Sequence, residues 1–329
     1  MALTLNTILL PATRDSFEKA GETVRRGGLV AFPTETVYGL GANACDDKAV
    51  ARIFEAKGRP QFNPLIVHIW DKTQINDFAV VTPLAEKLIG AFMPGPVTLV
   101  LKRQPECKIS YLVSAGLDSV AVRMPSLSAA RDFLKAANVP VAAPSANISG
   151  TLSPTCAAHV SAGLSGRIDM ILDGGQTRVG IESTVLDACG DTPVLLRAGG
   201  LAAEDVERVA GGLLYPEKDE TLPRSPGQML SHYAPSLPVR LNAHFAEEGE
   251  ALLGFGPCDG AVLNLSEKGD TTEAAANLFA YLRLLDDNKK YKAIAVMPVP
   301  LTGLGLGIND RLKRAAYPRR AFGDISDGR

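Results

Sequence analysis

The chain has 329 residues, 46% hydrophobic and 21% charged, with 34 Lys and Arg against 36 Asp and Glu. That composition excludes a disordered or fibrous protein, and a net charge of -2 excludes a generally basic nucleic-acid coat. The length predicts two domains.

In chain order, the N-terminal MALTLNTILLPATRDS has a short apolar run without the basic start of a signal peptide. No stretch approaches the ~18 consecutive apolar residues of a membrane span. Strand-length apolar runs follow at 29–32, 65–69, 97–101, 120–122, 140–143, 170–172, 183–186 and 194–196, each ending in Pro, Gly, Asp or Ser. Helical patterns lie between them at 16–26, 46–57, 83–92, 128–137 and 203–210, the second capped by Asp46. Several connections are too short for a helical crossover, so the expected fold is α/β with a twisted mixed sheet and flanking helices over residues 1–214. Residues 215–238 hold five prolines and read as an extended linker. Strands at 239–241, 252–255, 261–265 and 293–297 and helices at 272–285 and 308–316 then predict a small α/β domain over 239–329. Cys45, Cys107, Cys156, Cys189 and Cys258 are scattered and never form CxxC, which points to a reduced, cytoplasmic protein without a disulfide frame or a zinc site.

The chemistry is concentrated in polar loops at strand ends. Pro33-Thr34-Glu35-Thr36-Val37-Tyr38-Gly39 gathers hydroxyls, a carboxylate and a phenol, although taken alone a plain strand-to-helix turn explains it better. Lys57 closes a helix, where the dipole favours a cation in any case. Arg59, held between Gly58 and Pro60, presents a stiffened guanidinium suited to phosphate or carboxylate. His68 alternates with apolar neighbours and by itself reads as a satisfied core residue. Arg123 and Arg197 each end an apolar strand, where a buried cation needs an anion, structural or ligand. In 142–155 small residues and hydroxyls predominate, with Ser153 placed to cap a helix that opens on Pro154. Lys57, Arg59, Arg123 and Arg197 are expected to converge on one cleft. There is no GxxxxGK[ST] loop, HExxH, GxSxG elbow or Rossmann fingerprint. Gly303-Leu304-Gly305-Leu306-Gly307 reads as a tight connection, and Asn309-Asp310-Arg311 as a locally paired polar segment.

Taken in order, PTETVYGLGANA, KGRP..NPLIVHI, PGPVTLVL, VAVRMP, APSANISGTLSPT, GIESTVLD and LLRAG resemble the YrdC family of L-threonylcarbamoyladenylate synthases over residues 13–210. SPGQMLSHYAP and the C-terminal pattern resemble the extra, Rossmann-like α/β domain of the longer form. Leu127 departs from the His found after MPS or MPD in many relatives. The resemblance implies that L-threonine, bicarbonate or CO2 and ATP give threonylcarbamoyl-AMP and pyrophosphate, with Mg²⁺ accompanying ATP. The product passes to the transferase machinery that modifies a tRNA adenosine. Carried over by position, Lys57 and Arg59 are catalytic. Thr36, His68, Arg123, Ala143 and Ser183 line the threonine site. Arg59, Asn63, Ser119, Ser145, Ser153, Arg197 and Tyr233 hold ATP, and no protein side chain is assigned to a metal. The linker around His232-Tyr233-Ala234-Pro235 is expected to fold over the cleft as a lid.

Two other readings compete. A non-catalytic RNA-binding module is opposed by the overall charge and by the lack of basic runs interleaved with aromatics. A carbamoyl-transfer enzyme using carbamoyl phosphate is opposed by the lack of zinc-finger cysteines.

Overall fold

The computed structural model describes residues 5–216 and 233–317. The first part is built on ten strands: β1 Ile8–Pro11, β2 Val30–Phe32, β3 Gly39–Asn43, β4 Ile66–His68, β5 Val97–Lys102, β6 Ser119–Arg123, β7 Val141–Ala143, β8 Met170–Asp173, β9 Thr184–Asp187 and β10 Val194–Arg197. They form one sheet in the order β1-β8-β2-β3-β7-β4-β6-β5-β9-β10. Its pairings are mixed: β4 runs parallel to β6 and β5 to β9, whereas β3 and β4 are both antiparallel to β7. This is the mixed sheet expected from the short connections. The sequence reading missed β1 and took the start of β3 as loop, because three of the five residues of Gly39–Asn43 are small and give no β-branched signal.

Helices cover both faces. Helices α1 (Arg14–Arg25) and α4 (Ser128–Ala137) pack through Phe17, Val24, Phe133 and Leu134 against Val30 and Phe32 of β2. Ala31, which points the other way, joins the larger core under α2 (Asp47–Lys57), α3 (Pro83–Phe92), α5 (Ala157–Leu164) and α6 (Ala203–Ala210). That alternation is the period-2 geometry of a strand buried on both faces. Asp46 caps α2 as expected, accepting from Lys48 N at 2.9 Å and Ala49 N at 3.2 Å. The helix stops at Gly58, whose φ of 61° is left-handed. That stop fixes the directions in which Lys57 and Arg59 leave the helix. Gly41 is required by close packing, since a Cβ there would lie 2.8 Å from Val141 Cγ1.

The second part is a four-stranded parallel sheet of β11 (Val239–Arg240), β12 (Glu250–Gly254), β13 (Leu263–Asn264) and β14 (Ala293–Val296), in the order β11-β14-β12-β13. Helix α7 (Thr271–Asp286) buries Leu278, Phe279 and Leu282 against it. Helix α8 (Gly305–Ala315) begins inside the glycine segment, three residues earlier than the 308 start expected from periodicity. The two parts share a core: Val37, Leu152 and Ile181 of the first pack with Tyr233, Leu278 and Ile308 of the second. Gly180 marks the contact, because a Cβ there would lie 2.3 Å from Ala275 O on α7.

One local expectation fails. Ser153 does not cap a helix; α5 starts at Ala157 after Cys156, and the Ser153 hydroxyl reaches Glu182 instead. Most of the linker, including Ser225 and His232, lies outside the described residues, so the lid expectation is carried there only by Tyr233–Pro235.

Candidate active site

Parallel pairing of β4 with β6 places His68 beside Arg123, and antiparallel pairing of β4 with β7 places Ile66 beside Ala143. Loops leaving these strand ends, with β9 and β10, surround a pocket with about 40 Å³ of enclosed space. Ligands of open α/β sheets bind at such strand ends. Three of the four expected cations line the pocket: Arg59 from the loop after α2, Arg123 from β6 and Arg197 from β10. His68, Ala143, Ser145, Ser183 and Tyr233 join them, with Thr34, Tyr38 and Glu182 between. All three guanidinium groups are buried.

Each cation is held by the protein in a different way. Arg123 donates to Glu35 Oε1 at 2.7 Å, and Glu35 Oε2 accepts from Ser126 N at 3.2 Å. The anion anticipated for Arg123 is therefore, in part, structural. Arg123 Nε is buried with no hydrogen-bond partner among the described residues. Arg59 donates to the carbonyls of Asn63 at 3.3 Å and Pro64 at 3.0 Å, so its own loop aims it. Burial pushes its pKa down to about 10, with Arg197 nearby also disfavouring the charge. Arg197 donates to Ser183 O at 2.9 Å and Ser183 Oγ at 3.2 Å, and burial lowers its pKa too. Ser183 Oγ also lies 2.7 Å from Thr98 Oγ1.

His68 donates from Nδ1 to Ile66 O at 3.1 Å, since a carbonyl can only accept. Burial, and then the Arg123 charge, hold its pKa at about 3, so the ring is neutral across the physiological range. Its ring meets Phe32 edge-on at 5.7 Å. Tyr38 is fixed by its hydroxyl, which donates to Gly175 O and accepts from Gly174 N, and burial raises its pKa.

Five expected residues lie off the pocket wall. Thr36 is fully buried, and its hydroxyl is 2.8 Å from that of Thr34. The Thr34 proton goes to Val37 O, so Thr36 is the donor, and Thr34 is the residue of the pair that lines the pocket. Ser119 opens β6, roughly 13 Å from Arg123 at the usual strand rise. Asn63 is fully buried, with neither side-chain amide atom bonded among the described residues. Ser153 acts at one remove, donating to Glu182 Oε1. Lys57 departs furthest from expectation. Its amine donates to Ser145 O at 2.6 Å and Asn147 O at 2.5 Å, and burial drives its pKa well below the usual lysine range. It pins the loop that carries Ser145, so the fourth cation does not converge on the pocket.

The sequence reading missed Glu182 and Arg311. Arg311 on α8 is fully buried and donates from Nε to Glu182 Oε2 at 3.0 Å. It pairs locally with Asp310 Oδ2 at 3.3 Å, as expected from its neighbours, but it also reaches a carboxylate 129 positions away, which local pairing did not anticipate. Tyr233, with φ of 61°, tilts against Phe279 at 5.4 Å and lies with its ring centroid 5.5 Å from the Arg311 guanidinium.

A mixed α/β sheet with three buried guanidinium groups around one strand-end pocket defines an α/β protein whose pocket is lined by cations. The chain belongs to the Sua5/YciO/YrdC family: that family model, described as telomere recombination, matches residues 22–199, and the model of the threonylcarbamoyl-AMP synthase C-terminal domain matches 201–317. Threonylcarbamoyl-AMP synthase of Pyrococcus abyssi is 45% identical over 316 residues, covering 89% of this chain and 92% of the relative. That of Bacillus subtilis is 42% identical, covering 92% and 93%. The crystal structure of P. abyssi Sua5 complexed with L-threonine superposes with a TM-score of 0.86 at 41% identity, covering 95% of this chain and 97% of the other.

Proposed function

We propose that this chain is a threonylcarbamoyl-AMP synthase, which makes threonylcarbamoyl-AMP and pyrophosphate from L-threonine, bicarbonate or CO2 and ATP. The observation that carries the reading is the meeting of Arg59, Arg123 and Arg197, far apart in sequence, at one pocket. The P. abyssi and B. subtilis relatives point the same way. Three cations suit two anionic substrates whose mutual repulsion must be offset.

In this reading Arg123, His68, Ala143 and Ser183 hold threonine, with Thr34 supported by Thr36. Arg123 forks onto the carboxylate through donors that Glu35 does not use. A neutral His68 adds no charge that would compete for that carboxylate. Arg59, Ser145, Arg197 and Tyr233 hold ATP, with Asn63 and Ser153 in support; Ser119, at the far end of β6, is given no part. Threonine's amine first becomes a carbamate, adding to CO2 with loss of a proton or to bicarbonate with loss of water. A carbamate oxygen then attacks the α-phosphorus of ATP, forming a P–O bond as the bond to pyrophosphate breaks. Arg59 offsets charge on the leaving group, and no covalent protein nucleophile is required. Lys57 acts by holding the Ser145 loop in place. Mg²⁺ would enter with ATP as part of the substrate and would help to offset the phosphate charge.

The same reading hands the product to the tRNA-modifying transferase machinery in the cytoplasm. No helix among the described residues is long and apolar enough to cross a membrane. Carbamate and mixed anhydride both hydrolyse in water, which makes closure by the Tyr233 segment useful. Incubation with ATP, labelled bicarbonate and a panel of amino acids is the test. Threonine-dependent pyrophosphate release with label in an adenylate is expected; label transfer from carbamoyl phosphate, or none at all, refutes the assignment.

A further inference from the structure

Behind the pocket wall a charge network crosses from the second domain into the first. Arg311 on α8 reaches Glu182 with Nε, the Ala198 carbonyl and Asp310 Oδ2 with Nη1, and the face of Tyr233 with its plane. Its Nη2 is buried with no hydrogen-bond partner among the described residues. Glu182 takes Ser153 Oγ on its other oxygen. The helix that carries Arg311 is seated very close. A Cβ on Gly307 would lie 3.2 Å from the backbone of Gly199 and 3.0 Å from Ile181 Cδ1. Arg311 therefore enters on a rigid, glycine-dependent contact and not on a mobile arm.

Glu182 lines the same pocket as Arg59 and Arg197. A buried carboxylate beside a triphosphate site is unfavourable on two counts. It repels the ligand, and it attracts the guanidinium groups that the ligand needs. Burial alone would protonate Glu182, but Arg311 first and Arg197 second hold its pKa below the usual carboxylate range. The carboxylate is therefore charged, and the first of its counter-ions comes from the second domain.

We propose that Arg311 is a positioning residue for the nucleotide: docked from the C-terminal domain, it neutralises and fixes Glu182 so that the positive charge of Arg59 and Arg197 stays directed at the phosphates. This rests on the ATP-dependent reading of the pocket. It gives the second domain a defined part in the reaction, because the nucleotide side of the pocket is electrostatically complete only when α8 is seated. The threonine side, held by Arg123 with its own carboxylate partner Glu35, does not depend on it.

The test uses the full chain and four forms: wild type, R311Q, R311K and E182Q/R311Q. Binding of α,β-methylene-ATP and of L-threonine is measured by calorimetry, beside the KM for each substrate. R311Q removes the main counter-ion of Glu182, which then draws on Arg197 instead, and ATP KM and analogue Kd rise about 10- to 100-fold. L-Threonine affinity changes by less than about twofold. R311K keeps the charge, and E182Q/R311Q removes both charges; each binds the analogue within about fivefold of wild type. The inference is overturned if R311Q binds the analogue as wild type does, if it loses both ligands equally, or if the double variant binds no better than R311Q. Should R311Q fail to fold, R311K and the double variant still decide, and weak analogue binding by either overturns the inference. A wild type without threonine-dependent pyrophosphate release would instead refute the functional reading itself.

Discussion

Replacing Lys57 by Met separates two roles that a lysine at this position could have. Met keeps the length and apolar bulk of the stem and removes the amine. The Lys57 side chain is 1% exposed, and its Nζ serves the carbonyls of Ser145 and Asn147. Two buried carbonyls then lose their donor, at about 1–3 kcal/mol each. Against that, the variant no longer desolvates an amine, a cost visible in the strongly lowered pKa. The net expectation is a loss of about 2–4 kcal/mol in urea unfolding and a fall in melting temperature of roughly 3–6 °C. Because the released loop carries Ser145 at the pocket, ATP affinity falls as well. The decisive result is the pairing of the two effects. A K57M protein as stable as wild type within about 0.5 kcal/mol, yet without turnover, would show that the amine acts on substrate and not on the loop.

Three further perturbations probe other parts of the site. R123M strands Glu35, which is 5% exposed, and should cost about 3–5 kcal/mol of stability while raising threonine KM; adding E35Q should restore stability but not threonine affinity, as read by denaturation and calorimetry. His68 has a folded pKa of about 3 against an ordinary 6.5, so the unfolded chain binds the extra proton first as pH falls. Its contribution is complete above about pH 6.5 and is lost progressively towards pH 3, by up to roughly 4–5 kcal/mol; H68Q should flatten that slope in unfolding measured from pH 7 to 4. N63L replaces a fully buried amide that has no hydrogen-bond partner among the described residues, so stability should hold or rise while ATP KM increases; a marked loss of stability would mean that the amide is structurally bonded.

The sequence is legible where structure is decided locally. Apolar runs such as Val97–Leu101 and the cap at Asp46 are decided by neighbouring residues, and both were foreseen. The mixed character of the sheet came from connection lengths alone. Strand β3 was missed because glycine and alanine at 39–42 owe their place to tight packing against Phe32 and Val141, not to their own propensity. The reach of Arg59 could be read because Gly58 and Pro60 restrict the backbone on either side of it. Lys57, one helix position from that turn, points the other way, into the 145–147 loop, and no local rule distinguishes the two directions.

Glu182 and Arg311 were illegible for a different reason. Each sits in a segment with an adequate local account: Glu182 in a strand-leading GIEST, and Arg311 on a helix where Asp310 already supplies a counter-ion at 3.3 Å. Their partnership exists only once α8 lies against the 198–199 turn, a contact permitted by the missing side chain of Gly307. A Cβ on Gly199 would lie 2.3 Å from Glu182 O, so the glycine on which Gly307 packs also sets the path of the chain carrying the carboxylate. A G307V substitution should therefore act on the nucleotide before it acts on threonine. It displaces α8, withdraws Arg311 from Glu182, and leaves the Arg123–Glu35 pair untouched. Calorimetry on that variant should find analogue binding weakened at least about tenfold with threonine binding retained. Equal loss of both ligands would mean that the two domains support the pocket as a whole and that the charge network has no separate effect.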